Sequence, residues 1–346
     1  MCILRINIKE STMLILGIES SCDETGLALY SDEHGLIAHL VNSQIDLFTE
    51  YGGVIPEIAA RDHSTKIIGI LSKLLKKTNY TLEDISLIAY TAGPGLIGSL
   101  MVGETVAKTI SNVLDIELMP INHLEGHILA PGLEDDGLKP PYLCLLVSGG
   151  HTQIIKCDNY GEYEIIGETI DDACGEAFDK VGKLLDLEYP GGPKVSKLAE
   201  KGDNKRFSFP RAMMKDKNLN FSFSGLKTAV LYALEDLSTE DHADVAASFQ
   251  EAVIDALTTK LTWAVEKTKI KKLVCSGGVA SNKILRERLK QMAVNNNLKV
   301  SYPRMEFCTD NAAMIAYAGF IRKKFQLQEY TTNFARPRWP LGELYD

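Results

Sequence analysis

Two histidines, His123 and His127, lie four residues apart in the segment NHLEGH. On a helix, residues spaced by four lie one above the other on one face, so both imidazoles can reach a single metal ion. Much later in the chain, Asp310 follows an apolar run within the segment CTDN. An aspartate from another element would complete a site of two histidines and one carboxylate, which is typical of iron or zinc centres with open coordination positions. The alternative is two ordinary histidines, because a chain with seven histidines can place two at this interval by chance.

Several familiar catalytic patterns do not fit. A zinc protease of the H-E-x-x-H type needs glutamate directly after the first histidine, whereas Leu124 stands there and Glu125 follows one residue later, about 100° further round a helix. The chain has no phosphate-binding G-x-x-x-x-G-K-[ST] motif, no G-x-G-x-x-G after the first strand, and no G-x-S-x-G nucleophile turn. These absences disfavour P-loop enzymes, dinucleotide enzymes and serine hydrolases.

The length of 346 residues predicts about two domains, each able to bury an apolar core. Seven dispersed cysteines without a C-x-x-C pair indicate buried thiols in a reducing compartment. No apolar run approaches the roughly 18 residues of a membrane helix, and residues 1–12 carry charges where a signal peptide needs an apolar stretch. We therefore predict a cytoplasmic protein, not bound to a membrane, in which residues 1–12 are an N-terminal extension.

The chain repeats one order of patterns. MLILGIESSCDETGLALYS and GLIAHLVNS predict three strands, and PYLCLLVSGGHTQIIKCD and EYEIIGE predict three more, so that Thr25 and Thr152 are counterparts. Each half then continues with a strand that runs through a glycine turn into a helix, and there Gly93 corresponds to Gly277. The second half is longer, and we place its extra residues near 171–241.

This repeat predicts two α/β lobes of related topology with a cleft between them, where ligands of such folds bind beyond the carboxyl ends of the strands. Glycine turns there let backbone N–H groups approach phosphate oxygens. The candidate turns are Ser148-Gly149-Gly150, Gly191-Gly192-Pro193 and Ser276-Gly277-Gly278, with Asp179 and Asn282 as candidate ribose or phosphate partners. Glycine is also the default turn residue, so each turn alone is weak evidence for a nucleotide site.

The net charge of −9 weighs against a general nucleic-acid coat. The segment from Lys194 to Lys217 differs, because its eight basic and three acidic residues give a local charge of +5. An ordinary solvated surface is the simpler interpretation of this segment taken alone.

Ten segments in order resemble the bacterial TsaD/Gcp family, the tRNA threonylcarbamoyladenosine modification enzymes. They are GIESSCDETG, TAGPGLIGSL, NHLEGH, LVSGGHTQ, DDACGEAFDKVGKLL, YPGGP, FSFSGLKTAV, SGGVASN, CTDNAAMIAYAG and RPRWPL. The resemblance covers nearly the whole chain from Met13 onward. It implies the duplicated actin-like, Hsp70-like ATPase (ASKHA) fold, for which we predict a first lobe at 13–122 plus 319–346 and a second lobe at 123–318.

The resemblance also implies an acyltransferase that moves the threonylcarbamoyl group from threonylcarbamoyl-AMP to the N6 amine of the adenosine 3′ of the anticodon. The tRNAs would be those that read A-starting codons, and AMP would be released. His123, His127 and Asp310 resemble the family's ligands for one divalent metal per subunit, Fe²⁺ or alternatively Zn²⁺. The adenylate-binding set corresponds to Leu146, Val147, Ser148, Gly149, Gly150, Asp179, Gly192 and Asn282. Ser196 departs from the family, which usually has a carboxylate there.

Under this resemblance, we expect Asp23 and Glu24 to face the cleft and to orient the amine or a water, although a purely structural turn is the alternative. The basic segment becomes a candidate tRNA contact. The expected partners are tRNA, a paralogous actin-like subunit of the TsaB type, a small ATPase of the TsaE type, and a separate synthase that makes threonylcarbamoyl-AMP.

Two other functions fit a duplicated fold with a nucleotide cleft. A small-molecule kinase of the same superfamily would need a catalytic aspartate near the γ-phosphate of Mg-ATP and no histidine pair. A non-catalytic nucleotide-binding scaffold would need no metal. Product analysis separates the first from a tRNA-modifying enzyme, and metal content separates the second.

Overall fold

The structure is a computed structural model that describes residues 12–135, 137–215 and 217–345. Most of the expected N-terminal extension, residues 1–11 with Cys2, lies outside the described residues. The six described cysteines are free, and all except the half-buried Cys22 are buried, as the sequence predicts.

The first half of the chain forms one sheet and its covering helices. Its elements are β1 (Leu14–Glu19), β2 (Glu24–Ser31), β3 (Gly35–Ser43), α1 (Ile45–Phe48), α2 (Pro56–Thr78), β4 (Leu87–Gly93), α3 (Ile97–Leu114), β5 (Glu117–Asn122) and α4 (His123–Leu129).

The second half forms another sheet, with more helices between its third and fourth strands. Its elements are β6 (Tyr142–Val147), β7 (Thr152–Asn159), β8 (Glu162–Glu168), α5 (Cys174–Leu184), α6 (Gly191–Ala199), α7 (Ser224–Leu234), α8 (His242–Thr268), β9 (Lys272–Ser276), α9 (Lys283–Asn296), β10 (Lys299–Ser301) and α10 (Ala312–Lys324).

The two sheets have the same strand order, β3-β2-β1-β4-β5 and β8-β7-β6-β9-β10. In each, the first three strands pair antiparallel and the last two add in parallel. The central strands β1 and β6 are buried along their whole length, which explains their unbroken apolar sequence. The duplicated two-lobed α/β fold predicted from the sequence is therefore confirmed, whereas the fifth strands, β5 and β10, were not predicted.

The paired glycines mark equivalent turns in the two halves. Gly93 and Gly277 both have positive φ, 153° and 92°. A side chain on either would also meet backbone, because a Cβ would lie 1.9 Å from the Arg336 carbonyl oxygen in one case and 2.4 Å from that of Val147 in the other. Glycine is thus required at both turns for conformation and for space.

One apolar core joins the two lobes beneath the cleft. Leu16 and Ile18 of β1 belong to the same buried cluster as Cys144 and Leu146 of β6. The α10 helix packs against β1, β2 and α4. Because it runs from Ala312 to Lys324, it passes through residue 319, where we predicted a limit between the lobes. The limits themselves stay a prediction. Among the described helices, none combines the length and the apolar character needed to cross a membrane.

Candidate metal centre

The two histidines lie on a short helix whose start is set by one asparagine. Asn122, the last residue of β5, accepts hydrogen bonds from the backbone N–H groups of Leu124 and Glu125 at 2.9 and 3.3 Å. Its amide group donates to the Trp339 carbonyl oxygen at 2.9 Å. The helix α4 therefore begins at His123, as the N-cap preference of asparagine favours.

The structure brings the predicted metal ligands together. Asp310 Oδ1 lies 3.4 Å from His123 Nε2 and 3.1 Å from His127 Nε2. The two rings are perpendicular, with centroids 4.8 Å apart. One ligand atom from each of the three side chains lies within 4.8 Å of the others. A single cation between them could contact all three. Asp310 is held there because the next residue, Asn311, caps α10 by accepting from the Met314 N–H at 3.0 Å.

The surroundings of His123 also suit a metal ligand. Its Nδ1 lies 3.1 Å from Glu19 Oε2 and 3.2 Å from Ser21 Oγ. A carboxylate at the far nitrogen orients a ligating imidazole and leaves Nε2 available for the metal. Nitrogen donors with one carboxylate oxygen match Fe²⁺ or Zn²⁺, so the residues present fit the implied ion.

Without a metal, a protonated His123 is stabilised by the carboxylates of Asp310 and Glu19. Burial lowers the pKa of His123, but the Asp310 and Glu19 carboxylates outweigh it and raise this pKa well above its ordinary value. Burial likewise raises the pKa of Asp310, and the His123 cation reverses the shift and holds it well below. The site thus attracts positive charge, which a divalent ion would supply.

Glu125, between the two histidines, points away from the candidate metal site. Its carboxylate is fully buried and accepts hydrogen bonds from Arg322 at 3.1 Å and from the Tyr163 hydroxyl at 2.9 Å. Tyr330 donates a further hydrogen bond to it. Glu125 is therefore a structural residue, in agreement with the sequence argument against a zinc protease.

Asp23 is the last residue of the connection between β1 and β2, and Glu24 is the first residue of β2. Burial raises the pKa of Glu24 well above its ordinary value, and the negative charges of Asp23 and Asp310 raise it further. Ser21 Oγ lies 3.2 Å from His123 Nδ1, so the chain just before Asp23 lies beside the candidate metal ligands.

The turn after β6 is open to the cleft. Ser148 closes it by donating its backbone N–H to the His151 carbonyl oxygen at 2.8 Å and by accepting the His151 N–H on its hydroxyl at 3.1 Å. Apart from the neighbouring residues in the chain, no atom of the described part of the protein lies within 4 Å of where a Cβ of Gly149 or Gly150 would be. In contrast, Leu146 and Val147 are fully buried in β6, so only their backbone can meet a ligand.

The second glycine pair begins a helix. Gly191 and Gly192 are the first residues of α6, and both donate their backbone N–H groups to Asp179 Oδ1, at 2.8 and 3.1 Å. Asp179 thus anchors the start of α6. The predicted glycine turn is here the first turn of α6, and its role in binding phosphate stays a prediction.

Asn282 ties three helices together. Its amide nitrogen donates to Ser196 Oγ at 2.9 Å and to Gln250 Oε1 at 2.7 Å, and its oxygen accepts from the Leu285 N–H at 3.0 Å. Ser196, where the resemblance led us to expect a carboxylate, is therefore hydrogen-bonded to a residue of the predicted adenylate-binding set. A Cβ at Gly278, after β9, would lie 3.9 Å from the Thr309 methyl carbon.

Sequence reasoning missed several residues beside the site. Glu19 lies 3.1 Å from His123 Nδ1, and Gln250 Oε1 accepts a hydrogen bond from Asn282 at 2.7 Å. Glu19 stands in the same GIESSCDETG segment as Asp23, which was a usable signal. Gln250 lies inside a long helix, where nothing in the sequence distinguishes it.

The basic segment is largely neutralised by acids from elsewhere. Lys194 pairs with Glu188, Arg206 with Asp241 and Asp244, Arg211 with Asp255, and Lys217 with Glu266. Asp216, counted in the local charge, lies outside the described residues. Among the described residues, Lys197, Lys201 and Lys205 are exposed and form no ion pair within 4.0 Å.

The fold is a duplicated, two-lobed α/β architecture of the actin-like type, with a candidate metal site in its cleft. It resembles full-length HypF in a phosphate- and nucleotide-bound form, with a TM-score of 0.62 and 14% identity over 91% of this chain and 47% of HypF. It also resembles component A of (R)-2-hydroxyglutaryl-CoA dehydratase from Acidaminococcus fermentans, with a TM-score of 0.52 and 15% identity over 88% of this chain and 96% of that one. A third similar structure is the 2-hydroxyisocaproyl-CoA dehydratase activator from Clostridium difficile with bound ADPNP, at a TM-score of 0.50 and 16% identity over 92% and 100% of the two chains.

At these identities the likeness supports the fold alone, and the chain spans about half the length of HypF. The sequence itself is more specific. The chain belongs to the TsaD family, described as tRNA N6-adenosine threonylcarbamoyltransferase, whose sequence profile matches residues 35–317.

Proposed function

We propose that the protein transfers the threonylcarbamoyl group from threonylcarbamoyl-AMP to the N6 amine of the adenosine 3′ of the anticodon, in tRNAs that read A-starting codons. The observation that carries the proposal is the meeting of His123, His127 and Asp310 within 4.8 Å, in a chain whose family is named for this transfer. A superfamily kinase would have no use for such a cluster.

The reaction makes one bond and breaks one. The N6 nitrogen attacks the carbonyl carbon of the carbamoyl-phosphate anhydride, a C–N bond forms, and the C–O bond to phosphate breaks. AMP leaves with the electron pair, and the nitrogen loses a proton. The donor is already activated, so the protein needs no covalent nucleophile; it has to position the two reactants and to stabilise charge on the leaving phosphate.

His123, His127 and Asp310 would hold the metal, with Fe²⁺ as our first choice and Zn²⁺ as the alternative. When bound, a divalent ion with open positions supplies Lewis-acid polarisation of an oxygen ligand. Glu19 keeps His123 in the tautomer that leaves Nε2 for the ion.

The turn Ser148-Gly149-Gly150 would bind the phosphate of the adenylate. Its two glycines leave room for a close approach, and the start of α5 packs directly behind it, with the Gly175 N–H bound to the Ser148 carbonyl oxygen at 3.1 Å. The nucleotides in HypF and in the dehydratase activator are consistent with an adenylate in this kind of fold. In our proposal, Asp179 fixes the start of α6 and Asn282 fixes α6 against α8 and α9, so that both shape the pocket for the nucleoside.

Glu24 is our candidate for the group that accepts the proton from the N6 amine. Burial and neighbouring negative charge raise its pKa, which brings a carboxylate nearer to the range in which it works as a general base at neutral pH. Asp23, beside it, would orient the amine.

The tRNA contact would include the unpaired lysines rather than the whole basic segment. Lys197 lies on α6, whose start is next to the proposed adenylate pocket, and Lys201 and Lys205 follow it. The net charge of −9 and the pairing of much of the basic segment favour tRNA binding that is shared with other proteins. On the family's resemblance we propose partners of the TsaB and TsaE types and a separate adenylate synthase. Cytoplasmic localisation belongs to the same proposal.

A reconstituted assay tests the proposal. The protein, loaded with Fe²⁺ and combined with its expected partners, is given threonylcarbamoyl-AMP and an unmodified tRNA transcript, and the tRNA is digested for nucleoside mass spectrometry. We expect threonylcarbamoyladenosine and an equal amount of AMP. Phosphorylation of a small molecule with unmodified tRNA would instead favour a kinase, and metal-independent nucleotide binding without any product would favour a scaffold.

A further inference from the structure

His63 of α2 is a buried residue that the proposed mechanism does not use. Its ring is fully buried and bridges Cys22, in the connection between β1 and β2, and Thr25, the second residue of β2; we call this segment the Cys22–Thr25 turn. Nε2 lies 2.9 Å from the Cys22 carbonyl oxygen, and Nδ1 lies 2.7 Å from Thr25 Oγ1. The two contacted residues lie directly before Asp23 and directly after Glu24 in the sequence.

The chemistry of the two partners fixes the state of the ring. A carbonyl oxygen only accepts, so Nε2 carries the proton and donates to Cys22. In a neutral imidazole Nδ1 is then an acceptor, and the Thr25 hydroxyl donates to it. Burial lowers the pKa of His63, which agrees with a neutral ring. Both ring nitrogens are thus satisfied by this single turn.

Other elements fasten the same turn through its backbone. The Leu96 N–H donates to the Ser21 carbonyl oxygen at 2.7 Å, and the Gln44 N–H donates to that of Asp23 at 3.0 Å. Ser99 Oγ donates to the Cys22 carbonyl oxygen at 3.3 Å. The backbone of the turn is therefore held from α3, from the end of β3 and from α2, and His63 is the side chain that joins its two ends.

We propose that His63 is a positioning residue, whose neutral ring clamps the Cys22–Thr25 turn and so holds Asp23 and Glu24 at the cleft beside Asp310. The inference rests on the proposed function, because it gives these carboxylates their task. It also assigns α2 a role, since this helix reaches the candidate catalytic turn from one face while its opposite face is exposed at Ile68.

Three substitutions test the clamp. His63→Leu removes both hydrogen bonds. His63→Gln keeps a donor near the place of Nε2 and so retains the bond to Cys22. Thr25→Val keeps the shape of a fully buried side chain and removes only the bond to Nδ1. Ile67→Ala is the matched control, because Ile67 is buried one turn further along α2 and is outside the turn.

The measurements are the single-turnover transfer rate, the bound metal and the affinity for AMP. Misplacing a reacting group by about 1 Å costs up to about 100-fold in rate, so we expect His63→Leu to slow transfer by about 10- to 100-fold. Metal content and AMP affinity should stay at wild-type values. We expect His63→Gln and Thr25→Val to lie between His63→Leu and wild type, and Ile67→Ala to lower the melting temperature without slowing transfer by folded protein.

A wild-type transfer rate in His63→Leu would overturn the inference, as would loss of metal, AMP binding and rate in parallel. Absence of transfer by the wild-type protein would refute the proposed function instead. In that case a crystal structure of His63→Leu still decides the clamp: a displaced Cys22–Thr25 turn supports it, and an unmoved turn refutes it.

Discussion

Arg322 of α10 donates hydrogen bonds of 3.1 Å to both carboxylate oxygens of Glu125, beneath the helix that carries the candidate metal ligands. Both side chains are almost completely buried, and the Arg322 guanidinium also lies 3.7 Å from the centre of the Tyr330 ring. This ion pair joins the C-terminal helix to α4. The orientation of the histidines therefore depends on a contact almost 200 residues away in sequence.

Breaking this pair should be costly. Arg322→Leu leaves the Glu125 carboxylate buried without a cation, and we expect a loss of about 3–5 kcal/mol in the free energy of unfolding. Lys323→Ala is the control, because its pair with Glu117 is about half exposed and is worth only about 0–1 kcal/mol. Urea unfolding measures both, and similar losses in the two variants would contradict the structural role.

Glu19 should tune the affinity for the metal without being a ligand. Removing a carboxylate that orients a ligating histidine typically weakens metal binding about 10- to 100-fold, and we expect this for Glu19→Gln. Competition with a chelator measures the change in apparent affinity. Glu33→Gln, at the surface, serves as the control and should bind metal like the wild type. Equal affinities in both variants would mean that His123 is not oriented by Glu19.

The unpaired lysines should contribute more to tRNA binding than the paired ones. We expect the double variant Lys197→Glu, Lys201→Glu to weaken tRNA binding and to reduce the salt dependence by roughly 0.7–0.9 per lost phosphate contact. Filter binding at several salt concentrations measures both effects, with Lys73→Glu on α2 as the control. Arg206 is a poor probe, because its two aspartate partners make its loss a stability change. An unchanged salt slope would place the tRNA elsewhere.

Asp171 should make the stability of the second lobe depend on pH. Burial raises the pKa of Asp171, but hydrogen bonds from the Ser222 and Ser224 hydroxyls and from the backbone N–H groups at the start of α7 hold it below its ordinary value. A lowered folded-state pKa stabilises the protein above the unfolded value of about 3.9, and this contribution disappears as the pH falls through the folded value.

We therefore expect Asp171→Ala to lower the free energy of unfolding by about 1 kcal/mol at pH 7, as for loss of a helix cap. The difference from wild type should begin to shrink near pH 4, where the unfolded state takes up its proton, and should vanish once the pH is below the folded-state pKa. Melting curves from pH 3 to pH 7 test this. A difference that grows as the pH falls would contradict it.

Much of the fold was predictable because it rests on local pattern. The β1 and β6 strands are buried apolar runs, and the turns at Gly93 and Gly277 need glycine for reasons visible in any strand-to-helix turn. β10 was missed because three residues that end a sheet carry almost no periodicity. β5 was missed because it contains a proline and is only partly buried.

The sequence predicted those residues of the candidate site that recur at a regular spacing or stand in a recognisable motif. The spacing of His123 and His127 indicated a shared helical face. Asp310 was proposed as the carboxylate from another element, and the family resemblance pointed to the same three residues. Partners that act through tertiary contact left no local signal: His63 stands in the middle of an amphipathic helix, and Asn282 reads as a helix cap although it also binds Ser196 and Gln250. The local charge of the basic segment was overestimated for the same reason, because its acidic partners lie up to 49 residues away in the sequence.

The most direct test of the account is the metal bound by His127→Ala, determined by elemental analysis on the same preparation whose transfer to tRNA is measured. We predict that bound iron or zinc and threonylcarbamoyladenosine formation fall together, while the melting temperature shows a folded protein. Full metal occupancy with wild-type transfer in that variant would contradict the assignment of the centre.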